Sequence, residues 1–287
     1  MKNKKFLHQY FILLCLVFFS TNIFGQREYY MIDYHVTKDM NITPKTIKIL
    51  GNSAIDPKNS GKIDKQLFES KLKSLIPNKN STDILCIDLE NKIYQDLRNN
   101  KLNSKKVANS IDEFVSLIKM IRNLRPHVKV GVYALPFPVY YDSQLTRNQV
   151  GKFDKIFKEV DYIFPSIYIY YPAAQKGLQS NINYFNKNLD IAVYYAKKYN
   201  KEIIPFFWYL VHPSNKKFSN ELLDINEMKY YIDYLWNYSE NKYAFKGIVL
   251  WNSTTPFTKK NVKTSFLKNK KNLKNTTEAI NYYQSIL

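Results

Sequence analysis

The sequence predicts an α/β protein: a single-domain, TIM-like (β/α) barrel, distorted and built from seven or eight strands. Three observations carry that expectation. Short runs rich in β-branched and aromatic residues recur along the chain. Segments with apolar residues at three- and four-residue spacing lie between them. The 287 residues, 45% of them hydrophobic, can supply one large core.

The strand-like runs are Tyr29 to Val36, Thr46 to Leu50, Ile84 to Leu89, Val128 to Leu135, Tyr162 to Tyr170, Glu202 to Tyr209 and Gly247 to Trp251. Most are nearly continuous in apolar residues, as strands covered on both faces must be. Val107, Ile111, Phe114, Val115, Ile118 and Ile121 mark a first helix, with Ser110 and Glu113 in capping-box spacing. Ile182, Phe185, Leu189, Ala192 and Ala196 mark a second after Ser180. Ile225, Met228, Tyr231, Ile232 and Leu235 mark a third, which opens at Asp224 with Glu227 three residues on. Residues 52–65 and 268–276 read as polar loops, and no internal repeat or long linker is present.

The N-terminus has Lys2, Lys4 and Lys5, then the apolar run Phe11 to Phe19, then Ser20, Thr21 and Gly25. That is the layout of a secretory signal peptide. The expected division is therefore a leader, 1–25, and a barrel domain, 26–287. A nine-residue apolar run is far short of the roughly 20 needed to span a bilayer. The mature protein is thus expected to be secreted, periplasmic or on the cell surface, with no stable membrane insertion. Cys15 leaves with the leader, so Cys86 cannot form an intramolecular disulfide. Its apolar neighbours Leu85 and Ile87 mark it as packing rather than a nucleophile.

The formal charge is +19, or +16 without the three leader lysines, which favours an acidic partner. Part of that charge sits in ordinary solvated runs such as Lys268 to Lys274. Lys and Arg are dispersed and no nucleic-acid recognition motif occurs, so nucleic acid is not expected as a ligand. His35, His127 and His212 lack metal-ligand spacing and read as surface or structural residues. There is no Gly-rich phosphate loop and no G-x-S-x-G elbow. Neither a metal nor a cofactor is expected.

In a (β/α) barrel the chemistry sits at the C-terminal ends of the strands. There the run Ile84 to Asn91, "ILCIDLEN", places Asp88 and Glu90 two residues apart and hence on one side of the strand. Two close carboxylates do not both ionise readily, so one retains its proton near neutrality and can protonate a glycosidic oxygen. Other strand-like runs lead into Tyr140 and Asp142, Ser166 and Tyr168, Trp208 and Tyr209, and Trp251. Aromatic faces stack on the C–H faces of sugars, and hydroxyls bond their polar edges.

These segments resemble the hyaluronidases of glycoside hydrolase family 56. "IDLEN" is similar to the family's I-D-W-E-x, "RPHVKVGVYALP" to R-P-x-x-x-x-G-x-Y-x-x-P, "FPSIYI" to x-P-S-[IV]-Y, "IPFFWY" to L-P-Y-Y-W-Y, and "GIVLWNS" to G-x-[IV]-[IL]-W-G-S. The order is the family's, and the five matches span about residues 84–255. The resemblance implies a secreted endo-β-N-acetylhexosaminidase acting on an anionic polysaccharide, hyaluronan or chondroitin. Carried over by position, Glu90 becomes the acid/base, while Asp88 orients the acetamido group and shares a proton with Glu90. Tyr140, Asp142, Ser166, Tyr168, Trp208, Tyr209 and Trp251 become substrate-binding residues. The substrate's acetamido oxygen would be the nucleophile, with retention at the anomeric carbon.

Leu89 stands where the family has Trp, and Asn91-Lys92-Ile93 replaces its W-R-P. Tyr140 takes the family's tyrosine position only with a one-residue shift that Asp142 does not need. Phe206 lacks a hydroxyl the family often carries. The alternatives are a barrel that binds glycan without cutting it, and a glycosidase for another hexosamine polymer.

Overall fold

The computed structural model describes residues 27–33 and 44–251. The leader, His35, Asn252, Ser253 and the 268–276 run lie outside the described residues. Eight strands form one sheet: β1 Tyr29–Ile32, β2 Lys45–Gly51, β3 Ile84–Asp88, β4 Lys129–Tyr133, β5 Tyr162–Phe164, β6 Glu202–Ile203, β7 Phe206–Trp208 and β8 Ile248–Trp251. Every pairing is parallel, in the order β6-β5-β4-β3-β2-β1-β8-β7. The two ends of that order, β6 and β7, are consecutive pieces of one run, so the sheet curls round on itself into a single-domain α/β barrel.

Proline explains where the strands differ from the sequence-based boundaries. The run Glu202 to Tyr209 divides at Pro205, which has no N–H to give the ladder. The run Tyr162 to Tyr170 stops as a strand at Phe164 because Pro165 follows. Beyond it a bridge joins Ser166 to Phe206, with Phe206 N–H donating to Pro165 O and Ile167 N–H to Phe206 O, both at 2.9 Å. This bridge joins the wall between β5 and β7.

The sheet is buried on both faces. Leu85, Cys86, Ile87, Val130, Ile163, Phe164, Val249 and Leu250 are all 0% exposed, which is why their runs lack strict alternation. Gly131 in β4 is fixed by this packing: a Cβ there would lie 2.2 Å from the Phe164 ring.

The helix Lys105–Leu124 buries Val107, Ile111, Phe114, Leu117, Ile118 and Ile121, the stripe read from the sequence with Leu117 added and Val115 left half-buried. Its cap differs from expectation. Ser104, not Ser110, accepts from Val107 N–H, and Ser110 is buried within the helix. Glu113 instead accepts from Ile63 N–H and pairs with Lys62. Ser180 likewise lies inside its helix, Leu178–Tyr199, with its hydroxyl donating to Lys176 O. Asp224 does cap Ile225–Asn241, accepting from Asn226 and Glu227 N–H groups. Helices Lys65–Leu75, Lys92–Asn99 and Asp154–Glu159 went unread because their apolar stripes are short. Among the described residues no helix is long and apolar enough to cross a membrane.

Residues 52–65 are more than a polar loop. Asn52–Ile55 forms a helical turn with Ala54 and Ile55 buried. Asp56 behind it is 2% exposed and accepts from Ser60 N–H, Ser60 Oγ, Gly61 N–H and Asn91 Nδ2, at 2.8–2.9 Å. This segment braces the end of β3.

Candidate active site

β3 delivers Asp88 and Glu90 to the barrel mouth, and alternation sends the residue between them the other way. Leu89 is 2% exposed in the hydrophobic core, while Asp88 is half-buried and Glu90 is exposed. Position 89 is thus a packing position, and Leu fills it. The turn after Glu90 is held from outside: Asn52 Oδ1 accepts from Glu90 N–H at 2.9 Å, and Asn59 Oδ1 from Lys92 N–H. A helix begins at Asn91-Lys92-Ile93. Asn91 caps Lys92–Asn99 through Oδ1, which accepts from Ile93 N–H, and ties back to Asp56 through Nδ2.

The two carboxyl groups are set for proton chemistry. Asp88 Oδ1 is buried with no hydrogen-bond partner among the described residues. Burial, with Glu90 adding a like charge, pushes the Asp88 carboxyl up to about 7. Glu90 is also raised, mainly because protein walls displace water around it although its side chain is open to solvent. Arg98 opposes that rise. Cys86, one step inward, is fully buried and its thiol is driven up by burial and by Asp88, consistent with packing rather than nucleophilic attack.

The neighbouring strand ends supply a wall. Tyr133, at the end of β4, shares a 3.1 Å hydrogen bond with Ser166 Oγ and also bonds Tyr168. Its ring lies 5.0 Å from Phe206 and 6.1 Å from Tyr168. Tyr168 continues to Trp208 at 5.6 Å, and Phe206 to Trp251 at 6.2 Å. Ser166, Tyr168, Trp208 and Trp251 therefore converge. Tyr140 joins at longer range: its ring stacks on Tyr184, which meets Tyr170 edge-on at 5.7 Å, and its hydroxyl is buried without a hydrogen-bond partner among the described residues.

Two of the expected residues stand behind or outside this wall. Tyr209 is 0% exposed and packs edge-on against Trp208, with ring centroids 6.3 Å apart. Asp142 is exposed at the start of the 3₁₀ helix Asp142–Asn148 and forms an ion pair with Lys187.

Sequence reading missed Tyr133, Tyr170 and His212 as members of the site. The signal for Tyr133 was present: it shares strand parity with Gly131, whose missing side chain makes room for an inward ring. His212 was set aside as surface or structural, yet its ring lies 4.4 Å from Tyr170 and 6.4 Å from Tyr168. Burial, then Arg98, lowers its pKa to about 4, so it is neutral near pH 7. Ser214 N–H donates to His212 Nδ1 at 3.1 Å, which leaves the ring proton on Nε2. Among the described residues no cluster of His, Cys, Asp and Glu could hold a metal ion.

Neither a protein-family model nor a curated protein sequence matches the chain. Solved structures do. Bee venom hyaluronidase in a monoclinic crystal is similar with a TM-score of 0.62 at 13% identity, covering 91% of this chain and 97% of the bee chain. The same enzyme in complex with a hyaluronic acid tetramer gives 0.61 at 14% identity, covering 91% and 96%. An oligosaccharide-binding GH128 (subgroup VII) protein from Trichoderma gamsii has a weaker likeness, TM-score 0.38 at 14% identity over 80% of this chain and 84% of its own. At such identities the likeness to the bee enzyme establishes the barrel fold and its extent.

Proposed function

We propose that the protein is a secreted glycoside hydrolase that cuts hyaluronan or chondroitin after N-acetylhexosamine. The observation that carries this reading is the Asp88–Glu90 pair at the end of β3, one carboxyl with a buried, unbonded oxygen and a pKa near 7, the other exposed at the mouth. A site that holds one proton between two carboxyl groups, beside a wall of Tyr, Trp and Ser, suits acid-assisted cleavage of a sugar chain. The bee enzyme of similar fold was crystallised with a hyaluronic acid tetramer, which supports the choice of polymer.

In the proposed reaction Glu90 gives its proton to the glycosidic oxygen as the C–O bond breaks. The substrate's acetamido carbonyl oxygen bonds to the anomeric carbon from the opposite face, oriented by Asp88. Water, losing a proton to the Glu90 carboxylate, then displaces that oxygen and restores the acetamido group, so configuration is retained. Trp251 and Tyr168 would flank the acetamido group, and Met1–Gly25 would direct export.

Product analysis on a glycosaminoglycan panel tests the reading. Wild type is expected to release reducing ends from hyaluronan or chondroitin, and Glu90→Gln to lose about 10³-fold in rate. Hydrolysis that survives Glu90→Gln would remove the mechanism, and an unsaturated uronic product would make the enzyme a lyase. Binding to these polymers without any release of ends would leave a glycan-binding barrel. Cleavage of chitin oligomers or peptidoglycan alone would move the substrate to another hexosamine polymer.

A further inference from the structure

Near Glu90 lies Arg98, and near Arg98 a second arginine, Arg147; the proposed reaction uses neither. Arg98 belongs to the helix Lys92–Asn99, and Arg147 to the 3₁₀ helix Asp142–Asn148. A buried lysine ties these elements together: Lys152 Nζ donates to Asn100 O at 2.8 Å and to Arg147 O at 3.1 Å. Gln149 Oε1 adds a second tie, accepting from Leu102 N–H at 2.6 Å. The arginines consequently sit within electrostatic reach of each other, and both act on Tyr170, whose ring lies 4.4 Å from that of His212.

Like charges held together need a reason. Among the described residues neither guanidinium forms an ion pair, and Arg98 Nε is buried with no hydrogen-bond partner. The carboxylates on the same two elements are engaged elsewhere: Asp96 pairs with Lys92, and Asp142 with Lys187. Glu90 is not within ion-pair distance of Arg98, and its pKa lies above rather than below the usual value. Burial and the Arg98 charge lower the pKa of Arg147, an unfavourable setting that a bound anion would offset.

We propose that Arg98 and Arg147 form a carboxylate subsite beside Glu90 that binds a hexuronate of the substrate. This rests on the acidic-glycan reading above and extends it. Guanidinium forks match the planar geometry of a carboxylate and bind it in bidentate fashion, which an ammonium cannot do. An acidic glycan of alternating sugars carries one carboxylate per disaccharide. A fixed cation pair therefore admits the polymer in one register of two, and only one type of linkage comes to rest against Glu90. His212, neutral with a proton on Nε2, adds a donor to the same wall.

The test compares a hyaluronan hexasaccharide with its carboxyl-reduced counterpart, in which each uronate is converted to a neutral hexose. Binding is measured by calorimetry at fixed low salt, in a Glu90→Gln background to prevent turnover. The parent is expected to prefer the native oligosaccharide by about tenfold or more. Arg98→Gln and Arg147→Gln should each erase most of that preference and leave affinity for the reduced ligand unchanged, which also shows that the variants fold. Arg147→Lys should keep part of the preference, through charge without the fork. A parent that binds both oligosaccharides equally, or variants that keep the preference, would overturn the subsite while leaving the acidic-glycan reading in place. A parent that binds neither would overturn that reading and the subsite with it.

Discussion

Asp56 and Asp88 stand at either side of the same turn, and the protein treats them in opposite ways. Asp56 is sealed from solvent but shallow. Burial would raise its pKa, yet the N–H groups of Ser60 and Gly61, the Ser60 hydroxyl and the Asn91 amide outweigh that and lower it. Among the described residues Asp88 receives no such bonds at Oδ1, so burial and Glu90 prevail and raise it to about 7. The first carboxylate holds the turn together, and the second is kept bare at the mouth. The difference teaches that in this barrel an aspartate near the surface and supplied with donors becomes a brace, while one set deeper with a bare oxygen keeps a raised pKa.

Swapping charge for amide separates the two roles. Asp88→Asn should lower kcat on the cleaved glycosaminoglycan by about 10²-fold and abolish the decline in wild-type activity above roughly pH 7, as read from a pH–rate profile. Asp56→Ala should instead cost about 3 kcal/mol of stability in urea unfolding, because four donors lose their acceptor. Equal losses of activity from both variants with no loss of stability would collapse the distinction.

Stability against pH sharpens it, since the signs oppose. The pKa of Asp88 is raised in the folded state, so its contribution is full below its ordinary value near 3.8 and is lost as pH rises towards 7. Asp88→Asn should therefore gain in melting temperature relative to wild type between pH 4 and pH 8. The pKa of Asp56 is lowered, so its contribution is present above 3.8 and is lost as pH falls below it. The deficit of Asp56→Asn should shrink in acid. The smallest effect belongs to Asn52→Ala, which removes the acceptor for Glu90 N–H. A cost of about 1 kcal/mol and a several-fold fall in kcat with little change in KM would mark Asn52 as a positioning residue.

The strands were legible because they are buried on both faces and end in proline or aromatic residues, and Asp88 and Glu90 were legible through their spacing at such an end. Tyr209 does touch Trp208, but adjacency in sequence concealed the alternation that buries it completely. The brace at Asp56 and the ties through Lys152 could not be read, since each joins residues more than thirty positions apart or draws on backbone carbonyls that no side-chain pattern encodes. Arg98 gave no signal because an arginine on a short helix resembles any solvated charge until its neighbours are known.

The alternation along β3 also limits how this segment can change over time. Asp88 and Glu90 face the mouth while Leu89 faces the core, so the strand tolerates substitution but not a change of length. Deleting one residue from Ile84–Ile87 would turn a leucine out to solvent and drive the carboxylates in among the helices. Descendants of this chain can therefore revise the identity of these residues one at a time, whereas insertions and deletions must be absorbed in the segments beyond the strand ends.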